Sequence, residues 1–192
     1  MVELTSLWLP IALTAAAIFF LSFLCWMVLP HHRKDCAPLP DEDGVMKFLR
    51  EKGIAKGHYT FPHIKNPAQM KDPVWDAKRK AGPGGMLQIF PPEAWNMGPA
   101  LAKWFVLVLV VGVFVAYVAS HSLAAGAEYL SVFRIVGTVT FLTFCIQPFS
   151  DAIWKFTPWR AVLAHVLDGI LYALVTAGIF GWLWPDATSI MP

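Results

Sequence analysis

Residues 161–184 read AVLAHVLDGILYALVTAGIFGWLW, an apolar run whose single formally charged residue is Asp168. A helix needs about 20 mostly apolar residues to cross the hydrocarbon core of a bilayer. Three further runs are long enough, at residues 7–29, 101–120 and 129–149. An isolated strand in lipid would leave its backbone polar groups unpaired, so a helix is expected even where valine is frequent. The pattern predicts four transmembrane helices.

The composition agrees with a membrane protein. Of the 192 residues, 57% are hydrophobic and 15% are charged, and the mean hydropathy is +0.54. Soluble domains are about 45–50% apolar and about 25% charged, so a soluble globule and a disordered chain are both excluded. The predicted fold class is an all-α membrane protein with a loop of about 70 residues between the first two helices. The expected segments are a first transmembrane helix within 1–30, a loop region with short helices at 31–100, and transmembrane helices at 101–120, 129–149 and 161–184.

Lysine and arginine residues indicate the orientation of the chain. Eleven of them lie between Arg33 and Lys80, and the connection between the third and fourth runs contains Lys155 and Arg160. The connection between the second and third runs and both chain ends contain none. Because cytoplasmic loops carry an excess of Lys and Arg, residues 31–100 are expected to be cytoplasmic and both termini to lie outside.

Polar residues form a stripe on each of the last two runs. In the fourth run the later members lie three, seven and eleven residues after the first, which places all four on one helix face. They are His165, Asp168, Tyr172 and Thr176. The third run has the same offsets in Thr140, Thr143, Gln147 and Asp151. An antiparallel hairpin of the two helices would pair the stripes. The pairs expected are Asp151 with Arg160, Gln147 with His165, Thr143 with Asp168, and Thr140 with Tyr172.

This hairpin supplies the candidate intramembrane site, formed by His165, Asp168, Tyr172, Thr143, Gln147 and Asp151. An ionised acid within a span costs at least about 2.5–3.5 kcal/mol, so Asp168 is expected to be protonated, paired with His165 or open to water. Two interpretations stay open. Polar contacts between helices can simply hold them together, at about 0.6 kcal/mol each. The pair could also handle a proton, a quinone or another ligand.

Small residues recur at every fourth position in two of the runs. Such ridges let helix backbones approach closely, which is a main source of affinity between helices in lipid. We therefore expect the second and fourth helices to pack through them, against each other or against a partner protein. The ridges consist of Gly112, Ala116 and Ser120, and of Gly169, Ala173, Ala177 and Gly181.

The long loop is expected to contain only short elements. Acids at residues 41–43 and the apolar face of Val45, Phe48 and Leu49 predict a helix over residues 41–52. Asp72-Pro73 predicts the start of a second helix. Residues 58–61 are expected to be extended.

No catalytic residue, metal site or cofactor is predicted. The three cysteines form no C-x-x-C pair, and no two histidines of the loop have the i, i+4 spacing of a helical metal site. The adjacent His31 and His32 are expected to point two ways. No serine or cysteine nucleophile is paired with a base within a span. The net charge of +2 gives no basis for binding nucleic acid.

Arg134 is a second charge within a span, a little more than one turn into the third run. Its long stem is expected to reach outward to water, toward Glu128. The alternative is that its guanidinium binds an anionic headgroup or an acid of a partner.

Several short motifs distinguish the chain. They are Trp8-Leu9-Pro10, Val28-Leu29-Pro30-His31, Tyr59-Thr60-Phe61-Pro62, Met70-Lys71-Asp72-Pro73, Asp168-Gly169 and Phe180-Gly181-Trp182-Leu183-Trp184-Pro185. In these motifs the chain resembles a group of uncharacterised bacterial inner-membrane proteins of about this size. The resemblance implies a bacterial plasma membrane and four spans, and it implies no activity.

Two functions are considered. The first is a non-catalytic integral membrane protein, either free-standing or an accessory subunit of a membrane assembly. Its partners would be the lipid bilayer and a membrane protein or a second copy of the chain. The second is a small proton-linked carrier or a component of a redox complex that uses His165 and Asp168.

Overall fold

A computed structural model describes residues 2–187, and most of them are helical. Met1 and residues 188–192 lie outside the described residues. The two termini, which the sequence predicts to lie on the outer side of the membrane, belong to this part of the chain. The chain divides into two compact units, Met1–Ala37 with Gly98–Pro192, and Pro38–Met97. The α-helices of the first unit are α1 (Trp8–Phe23), α4 (Met97–Ser122), α5 (Tyr129–Cys145), α6 (Gln147–Lys155) and α7 (Trp159–Trp182).

Four helical stretches are long and apolar enough to cross a membrane, as the sequence predicts. They cover Leu4–Val28, Met97–Ser122, Tyr129–Lys155 and Trp159–Trp182. In the first stretch, a 3-10 turn at Leu4–Leu7 precedes α1 and a π-helical turn at Leu24–Val28 follows it. Pro30 then ends the helix, because the residue before a proline avoids the helical region. Leu29 is accordingly extended, with ψ 146°.

The third long stretch continues beyond its predicted end at Phe149. Helix α5 ends at Cys145, and α6 begins at Gln147 with Pro148 in its first turn. Proline is tolerated there because the first backbone N–H groups of a helix have no partner within that helix. Helix α6 ends where Phe156 adopts a left-handed conformation, with φ 56°.

Helix α7 packs against α5 and α1. Its glycines allow the contact with α5. A Cβ atom added to Gly169 would lie 2.6 Å from the Sγ atom of Cys145, and one added to Gly181 would lie 2.7 Å from the ring of Tyr129. The ridge of α7 therefore contacts the third long helix, its neighbour in the hairpin. The sequence pattern instead predicts the second long helix or a partner protein as the neighbour of this ridge.

The ridge of α4 also has another neighbour than expected. A Cβ atom on Gly112 would lie 3.3 Å from the Cγ2 atom of Ile11, in α1. Ala116 and Ser120, one and two turns further along, are buried. A repeat of small residues thus identifies a close-packed face correctly, but it does not specify which helix covers that face.

Two clusters of buried apolar side chains lie at different levels of this bundle. One surrounds Leu7, Val136 and Phe180, and the other contains Ile18, Val108 and Tyr172. At the level of the first cluster, the connection after α4 is tied to the end of α7. The indole Nε1 of Trp184 donates to the carbonyl of Ala124 over 2.9 Å.

The second unit contains the elements α2 (Glu42–Glu51), β1 (Gly57–Phe61), α3 (Pro73–Ala81) and β2 (Gly85–Ile89). The two predicted helices and the extended segment are confirmed. Asp41 and Asp72 cap α2 and α3, because their carboxylates accept hydrogen bonds from the backbone N–H groups of Gly44 and Val74. Strand β2, which the sequence analysis does not predict, pairs antiparallel with β1, and Gly57 lies opposite Ile89.

Substitution of two glycines of α7 tests the close contact with α5. Gly169→Ala is expected to destabilise the bundle by about 1–3 kcal/mol, because the new methyl group would overlap Cys145. Gly178→Ala is the matched control, since the nearest atom to its Cβ would be the Oη of Tyr129 at 3.8 Å. Alanine favours a helix over glycine by about 0.8–1.0 kcal/mol, so the control should be neutral or stabilising.

The measurement is the melting temperature of each purified variant in mild detergent. If both substitutions shift the melting temperature alike, the close approach of α7 to α5 is not a source of stability.

Candidate functional site

The most polar buried region of the first unit surrounds Asp168. This residue lies on the buried face of α7 and is 4% exposed. Its partners come from the turn after the first long helix, where Pro30 redirects the chain. Backbone hydrogen bonds from Arg33 to Pro30 and from Asp35 to His32 close that turn. The turn presents two adjacent imidazoles to one carboxylate of α7.

The two histidines each bind one oxygen of Asp168. His31 Nε2 donates to Oδ1 over 2.8 Å, and His32 Nε2 donates to Oδ2 over 2.8 Å. The expectation that the adjacent histidines point two ways is therefore wrong. A tight turn after a proline sets its own side-chain directions, which need not follow the alternation of an extended chain.

His32 also contacts a second acid. Its Nδ1 donates to Oδ2 of Asp35 over 2.5 Å, so both ring nitrogens face carboxylates. A carboxylate only accepts hydrogen bonds, and a neutral imidazole has one N–H, so the two contacts together favour the imidazolium form of His32. Burial lowers the pKa of His32, but its hydrogen bonds to Asp35 and Asp168 and their negative charges outweigh burial. The pKa of His32 is therefore raised above its ordinary value.

Arg160 joins this group from the first turn of α7. Its Nη2 donates to the backbone carbonyl of His31 over 3.3 Å, and its Nη1 lies 3.8 Å from Oδ1 of Asp35. Two carboxylates are thus matched by the imidazolium of His32 and the guanidinium of Arg160.

Aromatic rings enclose His32. The indole of Trp26 stacks on its imidazole, with centroids 4.0 Å apart and an interplanar angle of 5°. His165 contacts the same imidazole edge-on, with centroids 5.0 Å apart. An aromatic face over a cation is favourable, so Trp26 supports the charged form of His32. We call the residues Cys25, Trp26, His31, His32, Asp35, Arg160, His165 and Asp168 the Asp168 cluster.

Cys25 is fully buried beside Asp168. The ligand atoms of Cys25, His31 and Asp168 all lie within 4.8 Å of one another. Those of His32, Asp35 and His165 satisfy the same limit. These are the two groups of potential metal ligands in the part of the chain that the structure describes, 2–187.

The other predicted site residues lie elsewhere or have different partners. His165 donates from Nδ1 to the carbonyl of Ala161, its own helix one turn back, over 2.8 Å. Its ring contacts His32, which in turn bonds Asp168. Tyr172 is buried one turn along α7 and packs edge-on against Phe144, with centroids 5.3 Å apart.

On the third long helix, the predicted stripe bonds within its own helix. Thr143 is exposed and donates to the carbonyl of Val139. Gln147 donates to Asp151, and Asp151 forms an ion pair with Lys155 at 2.7 Å. The four predicted cross-helix pairs are therefore not among the hydrogen bonds and ion pairs of residues 2–187, although α5 and α7 do pack as a hairpin. Hydroxyl groups in helices readily bond the carbonyl four residues back, so a polar stripe does not require a partner helix.

From the sequence alone, Cys25, His31, His32 and Asp35 are not predicted to belong to the site. They lie more than 130 positions from Asp168, so no local spacing relates them to it. One signal was present, a pair of histidines directly after the proline that ends an apolar run.

A separate open groove of about 470 Å³ lies between α5 and α7. Its lining is mainly apolar and includes Phe141, Ile170 and Leu174, with the guanidinium-bearing Arg134 at its side. None of the groove residues belongs to the Asp168 cluster. Comparisons of the chain with models of protein families, with curated proteins and with solved structures give no match.

Replacement of the central acid tests how much the Asp168 cluster stabilises the fold. Asp168→Asn is expected to lower the stability by about 1.5–3 kcal/mol, because hydrogen bonds to a charged group are lost at a buried position. Asp151→Asn removes the same charge from an ion pair with a largely exposed lysine, which should cost at most about 1 kcal/mol.

Thermal unfolding of the two variants in detergent gives the comparison. An Asp168→Asn protein as stable as Asp151→Asn would contradict a stabilising role of the cluster.

Proposed function

We propose that the protein is a non-catalytic integral protein of a bacterial inner membrane and acts as an accessory subunit of a larger membrane assembly. Four long apolar helices support the membrane location. The distribution of Lys and Arg supports a cytoplasmic position for residues 31–100, with both termini outside. The bacterial membrane rests on the resemblance carried by the short motifs.

The observation that carries the role as a subunit is the position of Arg134. This residue is exposed on α5, roughly 8 Å from the first residue of that helix at 1.5 Å per residue. It borders the groove between α5 and α7, whose other lining is mainly apolar. A charged side chain facing lipid is costly, and such residues usually pair with an opposite charge. A carboxylate on a helix of a partner protein, seated in this groove, would provide that charge.

The Asp168 cluster supports the non-catalytic part of the proposal. Its carboxylates, its imidazolium and its guanidinium already bind one another. They hold the turn after the first long helix against α7, which is a structural task.

The alternative, a proton-linked carrier or redox component that uses His165 and Asp168, has less support. Nδ1 of His165 bonds a backbone carbonyl, and both oxygens of Asp168 bond other histidines. The two functions predict different results for Asp168→Asn. The variant should remain assembled with its partner if the protein is a structural subunit, whereas a proton-linked activity of the complex would be abolished.

The proposed orientation can be tested with the natural cysteines. Cys36 is exposed, whereas Cys25 and Cys145 are buried, so a membrane-impermeant maleimide should label Cys36 alone. We expect labelling in inside-out membrane vesicles and none in intact cells. Cys36→Ser should remove the signal. Ala124→Cys in that background should restore labelling from the outside, since residue 124 is exposed in the connection after α4.

Labelling of Cys36 in intact cells would place residues 31–100 outside and contradict the proposed orientation.

The proposed subunit contact can be tested by cross-linking in native membranes. A photoreactive amino acid at Thr138, which lines the groove, should give one discrete protein adduct. Arg134→Gln should reduce that adduct several-fold, because the guanidinium loses its acidic partner. The same probe at Phe114, an exposed position of α4, is the control and should give no such adduct.

The adduct is identified by mass spectrometry of its peptides. An adduct with a second copy of the chain would indicate a homo-oligomer. An adduct with lipid alone would contradict the role as an accessory subunit and assign Arg134 to an anionic headgroup.

A further inference from the structure

Three residues of the Asp168 cluster bring together sulfur, nitrogen and oxygen donors from separate elements. Cys25 lies in the π-helical turn, His31 in the turn after Pro30, and Asp168 in α7. Their ligand atoms lie within 4.8 Å of one another. A tetrahedral zinc site with bonds of about 2.0–2.3 Å places its ligand atoms roughly 3.3–3.8 Å apart. The three donors therefore need only small movements to occupy three of the four positions around one ion.

The donor types select the ion. A thiolate excludes the hard cations Mg²⁺ and Ca²⁺, and a mixed set of sulfur, imidazole and carboxylate suits Zn²⁺ and similar divalent ions. The thiolate of Cys25 would bring one negative charge to the ion, and the carboxylate of Asp168 would be shared between the ion and His32. Cys25 would lose its proton to water on binding. The neutral imidazole of His31 would turn its Nε2 lone pair to the ion and carry its hydrogen on Nδ1.

Neighbouring groups hold these ligands in place. The second oxygen of Asp168 accepts a hydrogen bond from His32, which is fixed in turn by Asp35 and by the ring of Trp26. The backbone of His31 is held by Arg160. Such outer partners orient the ligands in metal sites and typically contribute 10–100-fold to affinity.

The neighbouring group of His32, Asp35 and His165 is less suited to an ion. Both ring nitrogens of His32 already donate to carboxylates, and Nδ1 of His165 bonds a backbone carbonyl. By contrast, His31 bonds a carboxylate through Nε2 alone, so its imidazole can be neutral and turn that nitrogen to an ion.

We infer that Cys25, His31 and Asp168 bind one Zn²⁺-like divalent ion that fastens the end of the first long helix to α7. His32 and Asp35 form its outer shell. This inference does not depend on the accessory role, because the ion is a structural part of the chain itself.

The test uses the full-length protein, purified in mild detergent with a tag that contains no histidine and stripped of metal with a chelator. Exposed Cys36 is replaced by serine throughout to remove an adventitious thiol. Zn²⁺ is titrated and counted by elemental mass spectrometry, and Co²⁺ serves as the spectroscopic probe. We expect one equivalent of either ion per chain, a thiolate-to-cobalt band in the near ultraviolet, and a rise of the melting temperature on binding.

Variants assign the ligands. Cys25→Ser should abolish the near-ultraviolet band. Cys25→Ser and His31→Gln should each weaken binding by more than about 100-fold, the upper value for an outer-shell partner. His32→Asn should weaken it by about 10–100-fold. Cys145→Ser and His121→Gln, which replace a buried cysteine and a histidine outside the cluster, are the matched controls and should bind as the parent does.

The inference is overturned if the parent protein binds neither ion stoichiometrically, or binds Co²⁺ without the thiolate band. The second criterion uses the parent alone, so it decides the matter even where a variant does not fold. Binding that survives Cys25→Ser and is lost in His165→Gln would also overturn the inference, by assigning the ion to the neighbouring group.

Discussion

The buried carboxylate of Asp168 is the constraint on which the arrangement of the first unit depends. An acid two turns into an apolar helix must find partners, since leaving it unpaired would cost several kcal/mol. The chain supplies them from the turn that follows the first long helix, through His31 and His32. Pro30 ends the first long helix at a level from which the following turn presents both imidazoles to Asp168.

The same place on α7 is also where its backbone approaches α5 closely. Gly169 directly follows Asp168, and a side chain there would collide with Cys145. Neighbouring positions thus face in two directions, one toward the histidines and the other against the third long helix. Helices in lipid gain little from burying apolar surface, so dense packing and polar contacts must hold them together. Here both contributions meet within one turn of a single helix.

The sequence predicts the long helices well because their length and apolarity are local properties. The same holds for α2 and α3, whose starts are marked by Asp41 and Asp72. The partners of Asp168 could not be found in this way. The polar stripes predict partners for Asp168 on the nearest helix, whereas the hydroxyls of Thr140 and Thr143 bond within α5. A stripe shows that side chains share a face, and only the tertiary structure shows what that face meets.

Asp168 and Arg134 are charged residues of the long helices that have different surroundings. Asp168 is buried and is bonded by His31 and His32 of its own chain. Arg134 instead lies exposed beside an apolar groove on the α5–α7 pair. A buried charge that is satisfied internally stabilises the fold and leaves little capacity for an external ligand other than an ion. This contrast is the reason why we propose a structural role for Asp168 and a contact with a partner protein for Arg134.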